Sequence, residues 1–241
     1  MSRLTLSSPL SGWSAPLDEA PDAVFSQRML GDGVLIDTTG NELRAPCDGE
    51  VISIAASRHA IAVRANNGAE ILMHVGIDTV ALAGEGFELH VATGAKVRTC
   101  DRLLTFDLDL LARKATSLVT PVIVTNGDRF EIIAAHTDLE VAAGDVLIEL
   151  GAIAGAEATQ TTAASDRVSE TIRVEHEHGI HARPAALIAS YAKGLAFDLE
   201  VIANGRSANP RSAVALMSLG IRGGDDIVVA ASGASAAAAI A

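Results

Sequence analysis

Short apolar runs recur through the first 150 residues, and clusters of turn-forming residues separate them. VLID from Val34, EVISIA from Glu50, AIAVRA from Ala60 and AEILMHVG from Ala69 are such runs. Gly31-Asp32-Gly33, Thr39-Gly40-Asn41, Cys47-Asp48-Gly49, Asn66-Asn67-Gly68 and Asn126-Gly127-Asp128 break the pattern with residues that suit tight turns. Strands at this spacing predict an all-β sandwich or barrel. Leu108 to Lys114, after FDLD, predicts a short helical turn, and nothing longer in this half carries a 3.6-residue period.

The pattern changes after residue 166. RVSETIRVEH reads as a strand, and ARPAALIASYAKGL places Ala186, Leu187, Tyr191 and Ala192 at helical spacing before a stop at Gly194. FDLEVIANG, a turn at Asn204-Gly205, a helix from Ser212 to Leu219 and the strand-like DDIVVAAS follow. These predict an open α+β domain with an antiparallel sheet. The last residues, ASAAAAIA, read as the beginning of a further helix that is cut short, so the chain is expected to end inside that helix. Between the two regions, GAIAGAEATQTTAASD (151–166) is Ala, Gly, Thr and Ser without periodicity and reads as a flexible linker. A random coil of that length reaches roughly 22 Å. The expected domains are therefore 1–150 and 167–241.

Composition narrows the function. With 241 residues and 49% hydrophobic content, two buried cores are affordable. No apolar stretch approaches a bilayer span and no signal peptide opens the chain, so a cytoplasmic protein without membrane insertion is expected. Cys47 and Cys100 form no CxxC pair and predict ordinary packing. Residues 1–150 hold 11 basic and 21 acidic side chains, whereas 167–241 hold seven of each. An acidic first domain argues against nucleic acid and favours basic protein surfaces as partners. The glycines suit turns and form neither a GxGxxG nor a P-loop cradle, so no ATP site and no cofactor are expected.

The second region carries HGIHARPA. His181 stands just ahead of Pro184 and an Ala-rich run, which places it at or beside a helix N-cap. Free backbone N–H groups, the helix dipole and the Arg183 guanidinium there suit an anion, and a neutral imidazole can attack a phosphoryl group. An ordinary surface histidine fits the spacing equally, and His176, His178 and His181 together offer a metal-cluster alternative. In the first region, His59 and His74 lie in strand-like stretches on either side of the Asn66-Asn67-Gly68 turn. A hairpin would bring them together with one imidazole positioning the other, although two structural histidines or half of a zinc site match the same residues.

GIHARPAA from Gly179, with YAKG, NGRSA, PRSAVALMSLGI and GDDIVV, resembles the HPr family across residues 167–241. That resemblance implies a βαββαβα open-faced sandwich whose last helix is truncated here, with His181 phosphorylated on Nδ1 and Arg183 assisting. It also puts Ser212 where some members carry a regulatory phosphoserine, a position that equally suits a helix N-cap. PLSG, PDAVFSQRMLGDG, APCDGEVISI, HVGIDTVALAGEGF and TPVIVTN resemble the glucose-type enzyme IIA family from about Leu4 to Leu150. By that likeness His74 accepts the phosphoryl group through Nε2 and His59 supports it. Ser57 orients His59, Asp78 bounds the pocket, Val24 and Phe25 belong to an apolar docking surface, and Asp22 meets partner cations. The families together imply a phosphohistidine transferase relay of a bacterial sugar phosphotransferase system, without metal. In it His181 takes phosphate from enzyme I, separate or fused beyond residue 241, and His74 passes it to the IIB domain of a glucose or N-acetylglucosamine permease.

Overall fold

The computed structural model describes residues 3–153, 167–195 and 198–232. The linker expected at 151–166 lies outside them beyond its first three residues, and so does the helix start expected at 233–241. The chain forms two compact units, Met1–Ala156 and Glu157–Ala241.

The first unit is built from β1 (Arg3–Ser7), β2 (Gly12–Pro16), β3 (Asp32–Thr38), β4 (Glu42–Arg44), β5 (Gly49–Ile54), β6 (Ala60–Ala65) and β7 (Glu70–His74). It continues with β8 (Phe87–Leu89), β9 (Lys96–Val97), β10 (Arg102–Phe106), β11 (Val119–Val124), β12 (Phe130–Ala135), β13 (Leu139–Val141) and β14 (Val146–Ala152). Helices α1 (Ala23–Ser26) and α2 (Leu108–Lys114) are short. An eight-stranded sheet in the order β13-β2-β3-β11-β7-β6-β5-β9 is accompanied by two three-stranded sheets, β1-β14-β12 and β4-β10-β8. All of these pairings are antiparallel. Leu6, Val34, Ile61, Met73, Leu104 and Leu150 belong to one continuous core. β6 and β7 are buried at nearly every position, so their apolar runs do not alternate with polar residues. That is the signature of strands covered on both faces. β14 continues through Gly151 and Ala152, two residues beyond the expected domain end, because both are still paired to neighbouring strands.

The second unit runs β15 (Arg167–Arg173), α3 (Ala182–Lys193), β16 (Asp198–Ala203), β17 (Arg206–Ala208), α4 (Ala213–Ser218) and β18 (Asp226–Ser232). Its antiparallel sheet has the order β15-β18-β16-β17, an α+β fold. Asn204 and Gly205 both take positive φ, the requirement of a two-residue hairpin turn between β16 and β17. Helix α3 departs from the expected pattern. Ala182, Ala185, Ala186, Ala189 and Ala192 form its buried face, while Leu187 is 55% and Tyr191 75% exposed. A stripe of alanines can pack closely without larger side chains on that face.

Candidate functional site

The first site sits at the end of the β6–β7 hairpin. Ala60 is paired with His74, and the His59 carbonyl accepts from the Val75 N–H at 2.8 Å. Arg58 has a left-handed φ of 59°, so the chain bends immediately before β6 and His59 lies ahead of the regular pleat. The two imidazoles stand 4.5 Å apart between centroids at 71°, with His59 2% and His74 5% exposed. The hairpin therefore brings together the pair expected from the sequence.

Their hydrogen bonds separate their chemistry. His74 Nδ1 lies 2.8 Å from the Gly76 carbonyl oxygen. A carbonyl only accepts, so Nδ1 carries the proton and Nε2 keeps a lone pair. Gly76 has a φ of +70°, and a Cβ there would come within 2.7 Å of the Thr79 side chain. Only glycine therefore delivers that carbonyl without strain. Burial holds the His74 pKa below its ordinary value, against the opposing pull of the Gly76 hydrogen bond and the negative charges of Asp22 and Asp78. The ring is thus biased towards the neutral form that a nucleophile needs. Ser57 Oγ is hydrogen-bonded to His59 Nδ1 at 2.8 Å.

The surroundings differ in part from expectation. Asp78, left-handed at φ 61°, accepts from the Thr116 hydroxyl at 2.7 Å, which fixes its carboxylate beside the pocket. Asp22 caps α1 by accepting from the Val24 N–H at 2.8 Å. Expected on a docking surface, Val24 and Phe25 are instead buried, each 3% exposed. The Phe25 ring meets His74 edge-on at 5.1 Å, so it forms a wall of the site. The Gly76 carbonyl was not singled out from the sequence. The glycine two residues after a strand-end histidine was its only signal.

The second site opens α3. His181 is the N-cap residue with extended backbone, and its carbonyl accepts from the Ala185 N–H at 2.9 Å. Its side chain makes no capping hydrogen bond. Arg183 and Pro184 lie in the first turn, and Arg183 is exposed. His176, His178 and His181 do come together, with ring centroids 5.1 to 6.3 Å apart. Among the described residues, however, no group of three His, Cys, Asp or Glu side chains is arranged to hold a metal ion. Ser212 caps α4, its hydroxyl accepting from the Ala215 N–H at 3.2 Å. No helix among the described residues is long and apolar enough to cross a membrane.

Comparison with known proteins follows the same division. Residues 4–130 match the family described as phosphoenolpyruvate-dependent sugar phosphotransferase system, EIIA 1, and residues 168–241 match the phosphotransferase-system HPr component phosphorylation site. A phosphotransferase-system glucose-specific EIIA component of Bacillus cereus is 47% identical over 129 residues, 54% of this chain and 78% of that protein. A glucose-specific EIIBCA component of Corynebacterium glutamicum is 41% identical over 152 residues, 63% of this chain but 22% of that protein. The solved glucose permease IIA from Mycoplasma capricolum aligns with a TM-score of 0.59 at 37% identity, covering 62% of this chain and 96% of its own.

Proposed function

This chain belongs to the EIIA 1 family of the phosphoenolpyruvate-dependent sugar phosphotransferase system and carries an HPr component after it, and from that premise we propose that it is a two-site phosphohistidine carrier. His181 accepts a phosphoryl group from enzyme I and passes it to His74, which delivers it to a IIB domain during sugar uptake. The observation that carries the reading is the His74 tautomer: Nδ1 bonded to the Gly76 carbonyl leaves Nε2 as the nucleophile. In the transfers to His181 and to His74 the acceptor nitrogen's lone pair forms the new N–P bond, and in delivery to the IIB domain a cysteine thiolate forms an S–P bond. The donor N–P bond breaks and its electron pair returns to the donor imidazole, so no oxidant, metal or nucleotide enters the balance.

His59 and Ser57 act as positioning residues, with Asp78 bounding the pocket. Arg183 supplies fixed positive charge for the phosphoryl group on His181. Phe25 packs edge-on against the His74 ring, and Val24 is buried beside it in α1. The two carrier domains are the one that ends with β14 at Ala152 and residues 167–241, with a tether between them, and the relay runs in the cytoplasm. Enzyme I, separate or fused, and the IIB domain of a glucose or N-acetylglucosamine permease are the partners; the identity to glucose-specific relatives supports the sugar class.

Incubation with phosphoenolpyruvate and enzyme I, followed by mass spectrometry, tests the order. Acid-labile phosphate should appear on His181 and His74 in the natural chain, on His181 alone in His74→Ala, and on neither in His181→Ala. Labelling of His74 in His181→Ala without added HPr would overturn the order. His59→Gln should still be labelled at His74 yet transfer more slowly to IIB.

A further inference from the structure

Three of the chain's seven histidines fall within six residues, and the loop from β15 to α3 folds them onto one another. The Gly179 N–H donates to the His176 carbonyl at 2.8 Å, closing a turn that turns His176 and His178 back towards His181. Gly179 has a φ of +67°, and a Cβ on it would lie 2.0 Å from the Ile221 carbonyl oxygen. The Val174 N–H donates to the Asp225 carbonyl at 2.8 Å and the Ile180 N–H to the Ile221 carbonyl at 3.1 Å. The loop is thus fastened against residues 221–225 on both sides of the histidines. The rings of His176 and His178 stand 5.1 and 6.3 Å from that of His181.

We propose that His176 and His178 are positioning residues for the phosphoryl group on His181, holding it as imidazolium cations and making its lifetime depend on pH. This rests on His181 being the acceptor. An opposite charge within about 4–6 Å favours the charged form of a group. Imidazolium rings packed beside the His181 ring would put positive charge next to a phosphoryl dianion on it and oppose the protonation that precedes hydrolysis. Imidazole is the side chain whose ordinary charge change falls between about pH 5 and 8, so the effect fades as pH rises through that window. Other charged groups surround the loop. Glu175 and Glu177 lie on the loop itself, Arg183 on α3, and Arg222 and Asp225 on the segment packed against the loop. Arg173 is 3.6 Å from Asp226, and the Asp225 carboxylate accepts from the Arg222 N–H.

The test uses the full chain with His74→Ala, so that the phosphoryl group stays on His181, labelled by phosphoenolpyruvate and enzyme I. Phosphorus NMR then follows hydrolysis between pH 6 and 8 with His176 and His178 intact, with each replaced singly by Gln, and with both replaced. At pH 6 the intact loop should keep its phosphoryl group about threefold longer than the double variant, the scale of an exposed charge pair. The single variants should fall between them, and the curves should converge by about pH 8. Superimposed hydrolysis curves across the range overturn the proposal while leaving His181 as acceptor. Absence of any label on His181 with the loop intact overturns the acceptor assignment itself, and this inference with it. Circular dichroism of each variant, with an unchanged melting transition, ties the difference to the two exposed rings rather than to the fold.

Discussion

At the scale of single residues, the chemistry of the first site turns on where one proton sits. Burial disfavours imidazolium at His74, so its folded pKa lies below the ordinary 6.5. The unfolded chain takes up that proton at about 6.5, before the folded chain does. The stabilisation is thus present above pH 6.5 and lost as pH falls below it towards the folded value. Urea unfolding of the first unit should show its midpoint dropping on acidification, and His74→Gln should drop less over the same range. Equal slopes would mean that His74 is not buried as a neutral ring. Gly76→Ala should leave the hairpin folded but misplace the carbonyl that fixes the tautomer. Phosphorylation at His74 should slow by about tenfold, the worth of one lost hydrogen bond to a ring that must be oriented in advance, while His181 labels normally. Cys47 supplies a contrast, for burial and the neighbouring Asp48 charge push its thiol up to about 12. It should therefore resist alkylation in the folded protein, and fast modification would show that the core around it opens.

At the scale of elements, hairpins and helix caps decide which sequence signals could be read. The strands β6 and β7 and the turn between them were legible because Asn66-Asn67-Gly68 interrupts two β-branched apolar runs. Helix α2 was legible because Asp107 caps it, accepting from the Leu110 N–H at 2.9 Å, and its bounds agree with the expected segment. The outward side of α3 was not, since spacing alone gives Leu187 and Tyr191 the same period as the alanines. Which stripe is buried depends on how closely the helix packs. The burial of Val24 and Phe25 was equally hidden, because α1 is a single turn whose position follows from the Asp22 cap and the His74 ring rather than from any periodicity. His59 and His74 were recognisable as a pair from the hairpin, but their division of labour required the Gly76 carbonyl. Ser212 tests the reading of a cap directly. Its hydroxyl closes the first turn of α4, so Ser212→Ala should destabilise the second unit by about 1 kcal/mol in denaturant titration. Ser212→Asp should preserve most of the stability, because a carboxylate caps the same N–H.

At the scale of the whole molecule, the question is how the two proposed phosphoryl sites on one chain are coupled. The first unit is acidic and the second balanced, so no net like-charge repulsion opposes their encounter. With Gly151 and Ala152 held in β14, the proposed tether is residues 153–166, for which a random coil would reach roughly 21 Å, a distance comparable with the radius of a small domain. Such a tether gives an effective concentration on the millimolar scale. Proximity alone is insufficient, since in-line transfer requires donor and acceptor nitrogens on opposite sides of phosphorus. A tether accelerates the step only if it permits that alignment. Single-turnover transfer from phosphorylated His181 to His74, followed across a dilution series, separates the cases. We expect a rate that stays constant on dilution and falls only mildly when the tether is lengthened with Gly and Ser, because closure entropy grows slowly with length. A rate proportional to protein concentration would instead mean that the tether keeps the two sites apart and that carriers exchange phosphate between molecules.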